Sequence, residues 1–337
     1  MFSVVIPLFN NRTTIARAVR SVLAQRGPEF ELIVVDDGST DGGLEALSGF
    51  ADSRLRTIRQ DNAGAGAARD AGVAAAKHDW AAFLDADDFW LEGHLEELDA
   101  VRAACPEAGL IGTAAAAAAP GAAEVFVADG PSDIRLIRYL AAVGRGERTF
   151  GASSAAVRKA AWRAVGGFSR SLEGPDREFW ARLSLAWPVA VSSRVTAVYV
   201  RAAGSDSDRA RARKFGRPPQ SLADLSYSVA MLTELYGALP PHVQAEVDLF
   251  AIRYLDYRLR EAIASGDLAT LRALRRLYPA PPPLEHRLLL AAARLPDRLA
   301  LGVYRVGLAA KAAGRRLYGR RGAGRGRWIR IPEPERG

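Results

Sequence analysis

Four short apolar runs punctuate the first 90 residues, and each ends in a polar turn or leads toward a helical stretch. Phe2–Ile6, Phe30–Val35, Leu55–Arg59 and Trp80–Leu84 read as strands. Between the first two, Ile15, Ala18, Val19, Val22 and Leu23 recur at the 3.6-residue helical period. Thr40-Asp41 opens a shorter helix toward Phe50, and Gly64–Lys77 reads as a third. The end of the second strand, Leu32-Ile33-Val34-Val35, is continuously apolar, which predicts burial on both faces as in a parallel sheet. This β-α alternation confines the chain to a doubly wound, mostly parallel sheet, whose ligands sit beyond the carboxyl ends of the strands.

Past residue 105 the pattern loosens. Thr113–Ala123 is Ala-rich and reads as a surface excursion. Strands near Phe150–Val157 and over Val189–Val200 flank a helix near Asp176–Leu185. From Ser221 onward the chain reads as helices only: Leu222–Leu235, His242–Ala264, Leu268–Leu277, Leu284–Leu295 and Arg298–Leu317, broken by Pro279–Pro283. The Gly/Arg-rich stretch from Gly319 is expected to be disordered. The reading divides the chain into an α/β domain over 1–215, a helical region over 216–318 and a basic tail over 319–337.

Hydrophobic residues are 49% and charged residues 25% of the 337, which excludes disorder along the whole chain. A single cysteine, Cys105, excludes an internal disulfide and a cysteine-built zinc site, and fits a reducing compartment. No stretch is long and apolar enough for a membrane span, and the N-terminus lacks the basic and apolar regions of a signal peptide, so a cytoplasmic protein is expected. Charge is unevenly spread: residues 287–337 hold 13 Lys and Arg against 3 Asp and Glu, while the whole chain carries +8. A basic tail suits an anionic membrane surface or a solvated helical face; nucleic acid is disfavoured.

The polar chemistry gathers at strand ends. Pro7-Leu8-Phe9-Asn10 follows the first strand, Asp36-Asp37-Gly38-Ser39-Thr40-Asp41 the second and Asp85-Ala86-Asp87-Asp88 the fourth. In a parallel sheet these three ends share one crevice. Two carboxylate clusters there repel one another unless a cation lies between them, and hard oxygen ligands without His or Cys favour Mg²⁺ or Mn²⁺. Helix capping is the plainer alternative, stronger for Asp36–Asp41 than for Asp85–Asp88. Gly64-Ala65-Gly66 follows a strand but lacks the third glycine of a dinucleotide fingerprint, where Arg69 stands instead. It reads as a loop approaching a ligand, with Arg69 meeting a phosphate or base.

Taken together, Ser3–Asn10, Ser21–Gln25, Glu31–Asp41, Asn62–Gly72 and Phe83–Asp88, with Gly166-Gly167-Phe168, Asp176 and Phe179–Leu183 further on, resemble the inverting glycosyltransferases of family 2. The resemblance covers about residues 1 to 205. It implies a GT-A fold, a Rossmann-like domain with a nucleotide-sugar-binding half over 1–105 and an acceptor half over 106–215. It also implies a nucleotide-sugar donor, most simply a UDP-sugar, a glycan or lipid-linked glycan acceptor, and Mg²⁺ or Mn²⁺ bound at a DXD motif. By the same resemblance Pro7, Phe9, Asp36, Asp37 and Arg69 face the nucleotide. Asp85 reaches the ribose or the metal, Asp87 ligates the metal, Asp88 shares that role, and Asp176 is the catalytic base. Two departures stand out. Pro175 replaces the Glu that usually precedes the base, which leaves Glu173 or Glu178 as alternative bases. The stretch Tyr199–Ser207 holds no His, which leaves Asp206 or Asp208 as alternative metal ligands. The rival reading is a non-catalytic nucleotide-sugar binder. Trp180, near Asp176, has the best claim among the tryptophans to an acceptor contact, although core packing is the commoner role.

Overall fold

A computed structural model describes residues 1–119, 121–147, 149–169, 174–200, 218–277 and 326–333. They form two compact units. One holds the described residues up to 142, from 149 to 200 and from 326 to 333; the other holds 143–147 and 218–277.

The first unit is built on a nine-stranded sheet. β1 (Phe2–Leu8), β2 (Phe30–Asp36), β3 (Leu55–Arg59) and β4 (Trp80–Phe83) run parallel in the spatial order β3-β2-β1-β4. Every residue of β1 and β2 is buried because helices cover both faces. On one face α1 (Ile15–Leu23) lays Ile15, Ala18, Val19 and Val22 over Val4, Ile6 and Leu8. On the other, α2 (Ala65–Ala75) runs so close to β1 that a Cβ on Gly72 would lie 2.3 Å from a Val5 methyl. The continuously apolar strands predicted from sequence thus find the two-sided burial that stabilises them, at about 25 cal/mol per Å² of apolar surface removed from water.

The sheet continues through β9 (Ala155–Arg158), which is antiparallel to β4, to β6 (Leu110–Ala118), β10 (Val189–Val200) and β5 (Phe89–Trp90). β8 (Ile134–Ile137) pairs with β10 off this path. α3 (His94–Ala104), α4 (Tyr139–Gly144), α5 (Lys159–Val165) and α6 (Pro175–Ser184) complete the layers. The Ala-rich stretch expected on the surface is instead mostly β6, sandwiched between β9 and β10. Small side chains are what this position tolerates: a Cβ on Gly112 would lie 2.3 Å from the Phe150 ring. Pairing of Ala114–Ala118 with β10, beyond the Leu110–Gly112 segment that β9 also pairs, overrides the weak strand propensity of alanine. The helix expected from Thr40 reduces to one 3₁₀ turn over Glu45–Leu47, because Gly42 and Gly43 interrupt its start.

The tail also departs from expectation. Residues 326–330, expected to be unstructured, form β11 (Gly326–Arg330), antiparallel to β7 (Glu124–Ala128). Ile331 seals the ribbon, packing with Phe89, Leu91, Val125, Val127 and Val198. This apolar burial is the local reason the segment orders.

The second unit contains α7 (Tyr227–Leu235), α8 (Pro241–Ser265) and α9 (Leu268–Leu277). Ser226 caps α7 by accepting the Val229 N–H at 3.1 Å, and Asp267 caps α9 by accepting the Thr270 N–H at 3.0 Å. Leu232, Phe250, Leu255, Leu259, Leu271 and Leu274 form its buried stripe. The helices expected over Leu284–Leu295 and Arg298–Leu317 lie outside the described residues, as do Glu173, Asp206 and Asp208. No described helix is long and apolar enough to cross a membrane.

Candidate active site

The ends of β1, β2 and β4 come together as the strand order requires, and hydrogen bonds lace their loops. Asn10, held at φ 50°, accepts the Thr40 N–H at 2.9 Å, while its own N–H donates to Ser39 Oγ at 3.2 Å. Asp36, 1% exposed, accepts the Ser39 N–H at 2.9 Å and lies 3.4 Å from the Arg59 guanidinium. Asp37, 2% exposed, accepts from Gln60 Nε2 at 2.7 Å, Ala63 N at 2.9 Å and Gly64 N at 2.8 Å. It ties the β3–α2 loop in place and so sets where α2 begins. Asp41 accepts the Arg12 and Gly43 N–H groups at 2.8 and 2.9 Å. The carboxylates of this turn therefore bind protein donors, but not as helix caps: the 3₁₀ turn over Glu45–Leu47 and α2 both begin without a side-chain cap. Pro7 is buried within β1, and Phe9 is exposed just past its end.

The turn after β4 differs. Asp85 pairs with Arg69, which α2 presents from its buried face, and the Asp85 N–H donates to Ser153 Oγ at 3.1 Å. Burial opposes the charge on Arg69, but Asp85 and then Asp176 outweigh it and hold its pKa above the ordinary value. Arg69 also lies over the Phe168 ring, 5.7 Å from its centroid. Asp87 is pushed up to about 6, first by burial and then by the charge of Asp85. Asp88 is 1% exposed and raised well above the carboxylate range by burial, Asp87 and Asp85. Its two oxygens are taken by the Ser153 hydroxyl and, at 2.8 Å, by the Val200 N–H. Asp88 thus ties the turn to the end of β10.

Asp176 occupies the first turn of α6, where a negative charge complements the helix dipole. Pro175 fills the first helical position, where its missing N–H costs nothing. Close packing brings α6 to this site: a Cβ on Gly66 would lie 2.6 Å from Ser169 O and 3.4 Å from Pro175 Cβ. Asp176 acts electrostatically on both Arg69 and Tyr199. Glu178, the alternative base, is instead 2% exposed and bound by Arg182 at 2.7 and 3.1 Å. Trp180 is fully buried in a cluster with Phe83, Phe150, Phe168 and Phe179, so it is core and offers no surface to an acceptor. Asp70 of α2 accepts from Trp162 Nε1 at 2.6 Å and from the Phe168 N–H at 3.0 Å.

Three residues of this site escaped the sequence reading. Tyr199 lies among Asp85, Asp88, Asp176 and Arg69; partial burial, then the three carboxylates, push its phenol above its ordinary range. Ser153 touches both Asp85 and Asp88. Arg17 donates to the Asp87 carbonyl. Tyr199 opens the stretch Tyr199–Ser207 noted for its missing His, whereas Ser153 and Arg17 carry no motif signal.

The residues suit a divalent cation in part. Asp85 and Asp87 are hard-oxygen donors whose mutual repulsion a cation would relieve. Among the described residues no three His, Cys, Asp or Glu side chains gather as a metal cage. Two carboxylates would hold such an ion, and its other positions would be left to ligand oxygens and water.

Comparison with known proteins bears on the family likeness and the fold. Residues 3–106 match the model of "Glycosyl transferase family 2". The chain is 40% identical over 99 residues to an uncharacterized glycosyltransferase of Nostoc, 28% of this chain and 31% of that protein. It is 45% identical over 85 residues to the succinoglycan biosynthesis protein ExoO of Rhizobium meliloti, 25% of this chain and 24% of that protein. It is 36% identical over 97 residues to the Escherichia coli UDP-Glc:alpha-D-GlcNAc-diphosphoundecaprenol beta-1,3-glucosyltransferase WfgD, 28% of this chain and 38% of that protein. The matches thus span well under half the length of each relative. Among solved structures, Staphylococcus aureus TarS 1–349 in complex with UDP-GlcNAc aligns with a TM-score of 0.63 at 18% identity, over 93% of this chain and 92% of that one, a likeness of fold. The mixed α/β fold with its mostly parallel sheet resembles that of TarS, and over residues 3–106 the chain is similar to glycosyltransferase family 2.

Proposed function

We propose that the chain transfers a sugar from a nucleoside-diphosphate sugar to a hydroxyl of a glycan or lipid-linked glycan, with inversion at the anomeric carbon. The observation that carries this reading is the convergence of Asp85, Asp87, Arg69 and Asp176 beyond the ends of the central strands. When a nucleoside diphosphate leaves, negative charge builds on its phosphate oxygens. Arg69 is held charged to meet it, and Mg²⁺ or Mn²⁺ bound by Asp85 and Asp87 would supply further neutralisation. Phe9, exposed at the end of β1, and the scaffold tied by Asp36 and Asp37 would line the base. Asp176 takes the proton of the attacking hydroxyl as general base. Its electrostatic reach to Arg69 and Tyr199 favours this catalytic reading over a binder with a decayed site, the reading that Pro175 and the missing His suggest. The UDP-Glc of the WfgD reaction and the UDP-GlcNAc bound by TarS support a UDP-sugar donor.

The acceptor class suggests where the protein works. We place the basic residues 287–337 at an anionic cytoplasmic membrane surface, where each Lys or Arg near the lipid contributes about 1 kcal/mol. The deciding experiment is a screen of UDP-, GDP- and TDP-sugars for Mn²⁺-dependent binding and hydrolysis. Metal-dependent binding of one nucleotide class is expected, and binding of none would end the proposal.

A further inference from the structure

Arg17 is buried to 7% exposure in the first turn of α1, an unusual place for a guanidinium. One terminal nitrogen donates to the carbonyl of Asp87, and the other donates to the carbonyl of Pro332 at 3.3 Å, across 315 residues of sequence. Its guanidinium carbon lies 5.5 Å from the centroid of the Phe89 ring, one residue past the acidic turn. Burial lowers its pKa, while Asp88 and then Asp87 pull it back up. The carboxyl-terminal segment is anchored at the same place: the Ile331 N–H donates to Ala123 O at 2.8 Å, and Ile331 packs with Phe89 and Leu91.

We infer that Arg17 is a positioning residue for the Asp85–Asp88 turn and that residues 326–332 complete its support. Arg69 engages the turn through the Asp85 carboxylate, and Arg17 through its backbone. Three carboxylates within four residues repel one another, and a buried cation on the backbone offsets that repulsion without occupying their oxygens. The Pro332 carbonyl shares the load. A lysine could not replace this link, because one ammonium lacks the planar fork that reaches two carbonyls at once. The carboxyl-terminal ribbon is thereby a working part of the first unit, and its docking bears on the turn read above as the donor site. The link to donor binding rests on that reading; the bracing itself does not.

Two measurements on the full chain separate these claims. The first is amide hydrogen exchange at Asp88 and Leu91, whose N–H groups donate to Asp85 O at 3.1 Å and Thr196 O at 2.9 Å. Arg17→Met is expected to speed exchange there about tenfold while β2 and α3 keep parental protection, with Arg17→Lys giving only partial rescue. Ile331→Ala, distant in sequence, is expected to speed exchange at the same amides by a smaller factor. The second is Mn²⁺–UDP affinity by calorimetry, expected to fall about tenfold in Arg17→Met, the scale of an outer-shell loss at a metal site. Parental exchange at Asp88 and Leu91 in folded Arg17→Met overturns the inference. So does a uniform rise across the unit, which would make Arg17 an ordinary stabilising residue. Faster local exchange with unchanged Mn²⁺–UDP affinity overturns the link to binding. Faster local exchange in a protein whose parent binds no nucleotide upholds the brace and sinks the donor-site reading instead.

Discussion

Two acidic turns sit at the same end of the same sheet, one after β2 and one after β4, and their carboxylates live in opposite circumstances. Asp37 and Asp41 spend their oxygens on N–H groups of neighbouring loops and of their own turn, and Asp36 accepts the Ser39 N–H with its second oxygen 3.4 Å from Arg59. Asp85 and Asp87 lie together under mutual repulsion, with Arg69 against one and Arg17 beneath the other's backbone. Composition is nearly the same in both. What differs is whether the loops around a turn supply donors. The first turn meets loops that do, so its charges build the site. The second has fewer donors than charges, so its carboxylates keep the unrelieved repulsion that the proposed cation would offset. Asp88 marks the boundary: it belongs to the second turn but is satisfied like the first, by Ser153 and Val200.

This contrast can be broken in several ways. The largest effect belongs to Asp176, which faces the second turn from α6. Asp176→Asn is expected to lower turnover about 10²-fold or more while Mn²⁺–UDP affinity stays parental. Undiminished turnover would dissolve the division between a turn that binds the donor and a base that attacks from elsewhere. Next comes stability. Asp37→Ala strips the partner from three N–H donors and should cost about 2 kcal/mol in urea unfolding. Parental stability would remove the first turn's claim to be scaffold.

The third test uses pH. In the native protein Asp87 is raised to about 6, above the value of about 4 expected unfolded. Between those values the native state binds more protons than the unfolded one, so metal-free stability falls as pH rises from about 4 to about 6. Asp87→Asn should therefore raise metal-free stability by about 1–2 kcal/mol at neutral pH, with the gain fading toward pH 4, while metal-dependent nucleotide binding is lost. A variant less stable than its parent at neutral pH would place Asp87 with the satisfied carboxylates. The smallest effect is Glu178→Gln, expected to leave turnover near the parental rate because Arg182 holds Glu178 inside α6. A hundredfold loss there would move the base from Asp176 to Glu178.

How much of this was legible before folding depended on the range of the interactions. β1 to β4, α1 and α2 were readable because their signals are local: an apolar run, a 3.6-residue period, a polar turn after each strand. The clustering of Pro7–Asn10, Asp36–Asp41 and Asp85–Asp88 at one crevice followed from parallel order alone. β6 was not readable, because alanine has little strand preference and its partners β9 and β10 lie about 45 and 80 residues away. The ordering of residues 326–332 depends on β7, about 200 residues earlier, and on an apolar cluster assembled from five segments. The sequence by itself determined the β-α alternation of the first 90 residues, the likeness of residues 3–106 to a known family and the residue types available for chemistry. Only the tertiary structure decided which carboxylates are spent and which are not. That depends on where distant N–H groups and guanidinium groups come to rest: Gly64 against Asp37, Val200 against Asp88, Arg17 against Asp87.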